Sequence, residues 1–259
     1  MNNLRTRRAV LAGAGYAVAG SSMMAQWLSV ASAAEAGDAA ICLTMMYMHN
    51  RKQKFDAQYF RSNHLPLLRR VYGDSVEYIE LRVADKPEKG APDQPVQAVF
   101  NMWIADVKAF GAKTAAAGAE VQADLAKATD MKPVLEYDKT VALIGSARSE
   151  VSTNTVCIST YYQDKEGATF DAKYYLSNVL PKMLDLYGKK AVQRTEFCLG
   201  STAQGGGRPA MLASTHLYFR NVQDYMMAAR RVMTEIGPET PNFTTARPLT
   251  ANLRVNASA

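Results

Sequence analysis

Phe55-Asp56-Ala57-Gln58-Tyr59-Phe60-Arg61-Ser62-Asn63-His64-Leu65-Pro66 returns further along the chain as Phe170-Asp171-Ala172-Lys173-Tyr174-Tyr175-Leu176-Ser177-Asn178-Val179-Leu180-Pro181. Both copies run on to a Tyr-Gly pair, Tyr72-Gly73 and Tyr187-Gly188, at an offset of 115 residues. The same offset matches Cys42 with Cys157 and Tyr47 with Tyr162 upstream. Downstream it matches Trp103 with Tyr218 and Pro133 with Pro248. Self-similarity held over a domain-sized length means one folding unit used twice. Two copies make a tandem domain pair rather than a solenoid. Where the copies match, the fold needs the residue; where they differ, one copy can carry chemistry that the other lacks.

Each copy reads as six elements. A strand (41–48, matched by 156–163) leads into a helix (57–71; 172–186). Two strands come next around a turn: 76–83 and 96–104 flank a Pro/Gly/Asp/Lys-rich stretch, and 192–199 and 210–219 flank Gly205-Gly206-Gly207. A second helix (107–129; 222–236) precedes a last strand that opens after Pro133 or Pro248. The order βαββαβ is the ferredoxin-like arrangement, an α+β fold with both helices on one face of an antiparallel sheet. The other face must be covered. Two such sheets cover each other by closing into a barrel with the helices outside. The chain is therefore expected to form a dimeric α+β barrel within itself, from units at 39–146 and 152–257. A short polar linker lies between them, Ser146 to Asn154.

Residues 1–34 read as a twin-arginine signal peptide. Arg7-Arg8 precedes a mildly apolar run that reaches Trp27-Leu28, and Ala31-Ser32-Ala33 supplies a small-residue cleavage site. The run from Ala9 to Leu28 holds three glycines and two serines, a poor composition for a permanent membrane anchor. The expected location is periplasmic. Without Arg5, Arg7 and Arg8 the 30 basic residues fall to 27, against 24 acidic ones. So small an excess, with no lysine-rich run or basic helix face, argues against nucleic acid and membrane surfaces as partners. A homodimer stays open. The three cysteines, Cys42, Cys157 and Cys198, form no CxxC or Cys/His cluster and read as small buried hydrophobes.

Asp56 stands where a helix N-cap belongs, and Phe55 with Phe60 fits a hydrophobic staple; Asp171, Phe170 and Tyr175 repeat the device. That gives both aspartates a structural duty. Phe60, His64, Leu67, Leu68 and Val71 share one helical stripe facing the sheet, and the second copy has Val179 in place of His64. A buried imidazole needs a partner, and near neutral pH it can act as acid or base. His64 is thus the candidate catalytic residue. Tyr59 and Asn63 on its helix, Tyr47 on the first strand and Trp103 on the third are the candidate substrate-binding residues. His49 reads as a loop residue, and His216 stands where the first copy has Asn101. No metal set is expected, since no HxH or HExxH spacing occurs. No cofactor is expected either: no Gly-rich loop opens a helix, and no Gly-x-Ser-x-Gly is present.

Phe55-Asp56, Tyr59-Phe60 and His64-Leu65-Pro66-Leu67 together resemble the helix signature of the EthD family, of the dimeric α+β barrel superfamily. The resemblance covers nearly the whole of each repeat. It implies ferredoxin-like units paired into a barrel and a helix histidine, here His64, as the functional residue. Superfamily relatives include cofactor-free monooxygenases, polyketide cyclases, lactone isomerases and decarboxylases acting on small cyclic or aromatic compounds. Two readings are open. One is a cofactor-independent enzyme of oxidoreductase, isomerase or lyase type that moves a proton through His64. The other is a periplasmic binding or accessory protein of a degradation pathway that holds such a compound without converting it.

Overall fold

The computed structural model describes residues 41–85, 92–188, 190–203 and 206–259. The signal-peptide reading of 1–34 and the start of the first unit lie outside these residues, as do parts of both hairpin turns. The first half holds β1 (Ile41–Met48), α1 (57–72), β2 (Val76–Ala84), β3 (Val96–Ile104), α2 (Val107–Ala128) and β4 (Val134–Gly145). The second holds β5 (Val156–Gln163), α3 (172–187), β6 (Val192–Ala203), β7 (Met211–Phe219) and α4 (Val222–Ile236). A one-turn α5 (Thr240–Phe243) then leads into β8 (Pro248–Ser258).

The eight strands close into one barrel in the order β1-β3-β2-β8-β5-β7-β6-β4. Each half supplies four neighbouring strands in ferredoxin-like order. Two antiparallel seams join the halves: β8 pairs with β2, and β4 pairs with β6. The exchange is reciprocal, as a two-fold relation between halves requires. Closure leaves no open sheet edge among the described strands. Side chains alternate across each strand. Leu43, Met45 and Tyr47 of β1 pack outward with Phe60, Leu68 and Phe110 of the helices. Cys42 and Met46, between them, point into the barrel among Trp103, Tyr161 and Leu253. Both faces are covered, so β1 is buried along almost its whole length.

Asp56 caps α1 by accepting from the Tyr59 amide at 2.9 Å, and Asp171 does the same for Tyr174. Phe55 stacks on Phe60 at 6.1 Å between centroids, and Phe170 meets Tyr175 at 5.4 Å. Neither first helix is α-helical throughout. Phe60–His64 and Tyr175–Val179 each form a π-helical turn, which holds one residue more than an α turn. That extra residue rotates the later turns of the helix. Leu65, Leu68 and Tyr72 take the buried stripe, and Leu67 and Val71, expected there from 3.6-residue spacing, are only half-buried.

The repeat offset also shifts within the fold. Tyr78 pairs with Trp103, and Arg194 pairs with Tyr218 in the other half. Trp103 and Tyr218 are 115 residues apart, yet Tyr78 and Arg194 are 116 apart. One extra residue after Gly188 moves β6 forward, and the hairpin returns it. A one-residue slip reassigns every side chain to the other face of a strand. Glu80 and Glu196 are therefore equivalent inward positions, a match that the 115-residue offset hides. The linker differs from its expectation too. It carries a 3-10 turn, Arg148–Glu150, and buries the Arg148 side chain.

Candidate functional site

His64 closes the π turn of α1 and is 2% exposed. Its Nδ1 lies 2.9 Å from Oδ2 of Asp124 on α2. The other carboxylate oxygen of Asp124 accepts from the Tyr59 hydroxyl at 2.7 Å and lies 3.4 Å from Lys127 Nζ. Phe60 meets the imidazole edge-on, with centroids 4.8 Å apart. Two helices thus present a Tyr59–Asp124–His64 relay, apolar on its inner side and bordered by the exposed Lys127. Burial lowers the His64 pKa, and the Asp124 carboxylate opposes this without reversing it. The neutral imidazole is the favoured form, with Nδ1–H donated to the carboxylate and Nε2 left as the basic atom. Burial also disfavours the Asp124 carboxylate, but hydrogen bonds from Tyr59 and His64 outweigh it and hold its pKa below the usual value.

The structure brings together only some of the expected residues. Tyr59 joins His64 through Asp124. Asn63 is exposed and its amide donates back to the Tyr59 carbonyl at 3.4 Å. Tyr47 is fully buried on the helix-facing side of β1, against Phe55. Trp103 does not reach His64: it occupies an inward position of β3, so the sheet stands between them. Asp124 was missed because nothing near it in sequence marks it. The signal available was its match to Glu239 across the repeat. In the second half Glu239 pairs instead with Lys182 at 2.5 Å, and Val179 is packed in apolar surroundings.

A second polar cluster fills the barrel interior. Glu196 is fully buried and accepts from Arg148 Nη2 at 2.5 Å, Arg194 Nη2 at 3.0 Å, Trp103 Nε1 at 3.1 Å and Thr140 Oγ1 at 3.1 Å. Glu80 accepts from the Tyr218 hydroxyl at 2.6 Å and lies 3.2 Å from Arg82 Nε. Arg82 also reaches Asn101, Ser159 and His216. The guanidinium of Arg194 lies 4.0 Å over the Tyr218 ring, and that of Arg148 lies 4.5 Å over Trp103. His216, left open by the sequence, is thus a barrel-interior residue. Burial, then Arg82 and Arg194, push its pKa well below the ordinary value. Since Arg82 can only donate, Nδ1 of His216 is the acceptor. Asp138 accepts from Thr44 at 2.5 Å, and burial raises its pKa to about 7. The readable signal was charge at alternate positions of otherwise apolar strands: Glu80/Arg82, Glu136/Asp138 and Arg194/Glu196. Every such group needs an internal partner. Among the described residues no group of three or more His, Cys, Asp or Glu side chains is placed to hold a metal ion.

Compared with known proteins, the chain matches no family model and no curated protein. Solved structures do match. An EthD-like protein from Ralstonia eutropha JMP134 is 26% identical over 39% of this chain and 91% of its own, with a TM-score of 0.34. A candidate monooxygenase from Fusobacterium nucleatum is 7% identical, with a TM-score of 0.53, over 86% of this chain and 95% of its own. An anthrone oxidase-like protein is also 7% identical, with a TM-score of 0.51, over 86% and 93%. The structural neighbours thus include an EthD-like protein, and this chain has the fold of the dimeric α+β barrels, with both halves of the barrel in one polypeptide.

Proposed function

We propose that the first half binds a small cyclic or aromatic compound and that His64 moves a proton on it without a cofactor. The observation that carries this reading is the Tyr59–Asp124–His64 relay. Asp124 fixes Nδ1 as the protonated nitrogen, so Nε2 can take a proton from a C–H or O–H acid and return it to another atom of the same compound. Asp124 stabilises the imidazolium formed between the two steps. Val179 denies the second half this chemistry, so that half serves as the barrel's other wall. The unit boundaries near 39–146 and 152–257 and export of the chain to the periplasm by the twin-arginine route belong to the same proposal.

The test combines a panel of aromatic and lactone compounds with mass spectrometry for binding and conversion. A positioned proton-transfer group contributes about 10²–10⁴-fold in rate. His64→Ala is expected to lose turnover in that range while staying folded, and Val179→Ala to lose none. An unchanged rate in folded His64→Ala ends the catalytic role. Binding without conversion in the parent assigns the accessory-protein reading. A second reading is favoured by the 2% exposure of the ring: His64 and Asp124 form a tie between α1 and α2. In that case both His64→Ala and Asp124→Asn lower the melting temperature and leave ligand binding unchanged.

A further inference from the structure

The exposed sulfur of the described residues is gathered on one helix. Of the 13 methionines, Met1, Met23 and Met24 lie outside those residues. Met45, Met46, Met102, Met131 and Met211 are buried, and Met48 and Met183 are half-buried. Met226, Met227 and Met233, all on α4, are 62%, 75% and 76% exposed. The three cysteines are buried. Burial raises the pKa of each thiol, which keeps them protonated and unreactive.

The fold does not require these three side chains. α2 and α4 begin at equivalent residues, Val107 and Val222. In that alignment Met226, Met227 and Met233 stand where α2 has Gly111, Ala112 and Gly118. Only Val232 of α4 is fully buried, so none of the three thioethers anchors the helix to the sheet. Each has open space beside it. A hollow of about 520 Å³ is lined by Met226, Ala229 and Met233 on one flank. Another, of about 210 Å³, is lined by Met227 and Ala228 on the other. A thioether needs no partner to react there. Its sulfur attacks an oxygen of a hydroperoxide, an S–O bond forms and the O–O bond breaks. Sulfur gives up two electrons to the peroxide. The proton on the transferred oxygen passes to the leaving hydroxide or alkoxide, and the products are a sulfoxide and water or an alcohol. A sulfoxide is polar and chiral and disrupts a packed core. Met45 and Met102 lie in such a core with Phe60 and Phe100, whereas on α4 the new oxygen meets water.

We infer that α4 is a site of reversible oxidation, at which a hydroperoxide converts Met226, Met227 and Met233 to sulfoxides while the barrel keeps its packing and its buried sulfur stays reduced. Methionine sulfoxide reductases, one for each epimer, reverse the step. This role belongs to the second half and is independent of the chemistry proposed for His64.

The test is a time course of the full chain in excess hydrogen peroxide, read by peptide mass mapping. The urea-unfolded chain, in which every thioether is open, is the reference. Met226, Met227 and Met233 are expected to react within about threefold of their unfolded rates, and Met45, Met102 and Met211 at least about tenfold more slowly than theirs, since a buried side chain reacts only when the structure opens. With the three sulfoxides formed, the melting temperature and circular dichroism should match those of the parent. Treatment with both reductases should remove the added oxygens. The combined variant Met226→Leu, Met227→Leu and Met233→Leu should keep the parent melting temperature, and no buried methionine should oxidise in their place. Protection of the α4 methionines like that of the buried ones would overturn the inference. So would oxidation of a buried methionine or cysteine at a comparable rate, a melting temperature lowered by the three sulfoxides, or sulfoxides that the reductases leave in place.

Discussion

Glu196→Gln tests how the two halves are held as one body. The substitution keeps the side chain's shape and removes its charge at the one position where the linker, the first half and the second half meet. Arg148 comes from the linker, Trp103 and Thr140 from the first half, and Arg194 from the second. Glutamine can still accept from Trp103 and Thr140. It cannot balance Arg148 and Arg194, whose side chains are 8% and 0% exposed. Breaking one side of a buried pair costs about 3–5 kcal/mol. Glu80, 3.8 Å from Arg194, supplies a remaining counter-charge, which places the expected loss near the lower end, about 3 kcal/mol. For a domain of this size that is a fall of about 6–12 °C in melting temperature. Urea unfolding followed by circular dichroism should show a lower midpoint with an unchanged slope and one transition. The arginines hold the Glu196 pKa below its usual value although burial alone would raise it. Its stabilisation is therefore present above the ordinary carboxylate range and lost as pH falls through the folded-state value, so the gap between parent and variant should close in acid. Glu235→Gln, on an exposed side chain, should stay within about 0.5 kcal/mol. A loss under about 1 kcal/mol, or separate transitions for the two halves, would refute the view that this network joins them.

Asp138 carries the opposite sign. Its folded-state pKa is raised to about 7 by burial, so the fold favours the protonated acid. That contribution is full below the ordinary carboxylate pKa and is lost as pH rises through about 7, so Asp138→Asn should melt higher than the parent above about pH 8 and alike near pH 4. For His64, activity should rise as pH increases through a pKa below its ordinary value, since the neutral ring is the base. Asp124→Asn removes the group that opposes this depression, so the limb should move to lower pH in rate measurements, and an unmoved limb would exclude His64 as the titrating base. Gly145→Ala drives a Cβ into the Gln193 carbonyl oxygen at the β4–β6 seam, at a φ of +94°. It should cost about 1–3 kcal/mol in urea unfolding, whereas Gly111→Ala, in open space on α2, should cost nothing.

The fold was legible because its signals are local and occur twice. Phe55-Asp56 and Phe170-Asp171 mark helix starts through backbone amides only three residues away. Alternating apolar runs mark strands, and a sheet with helices on one face needs cover that a second copy can supply. The buried place of His64 came from its four-residue spacing to Phe60 on the helix's apolar stripe. What the tertiary structure decided are relations that no local pattern encodes. The π turn moved the buried stripe from Leu67 and Val71 to Leu65 and Tyr72, because hydrogen-bond pattern within a helix is set by packing as well as by sequence. Asp124 reached His64 across 60 residues only because α1 and α2 lie side by side on the same sheet. Trp103 was assigned to the wrong side of that sheet, since strand parity is known only once register is known. The interior ion pairs escaped for the same reason: a one-residue slip between the halves aligned Glu80 with Thr195 in sequence, while the strand registers make it the equivalent of Glu196.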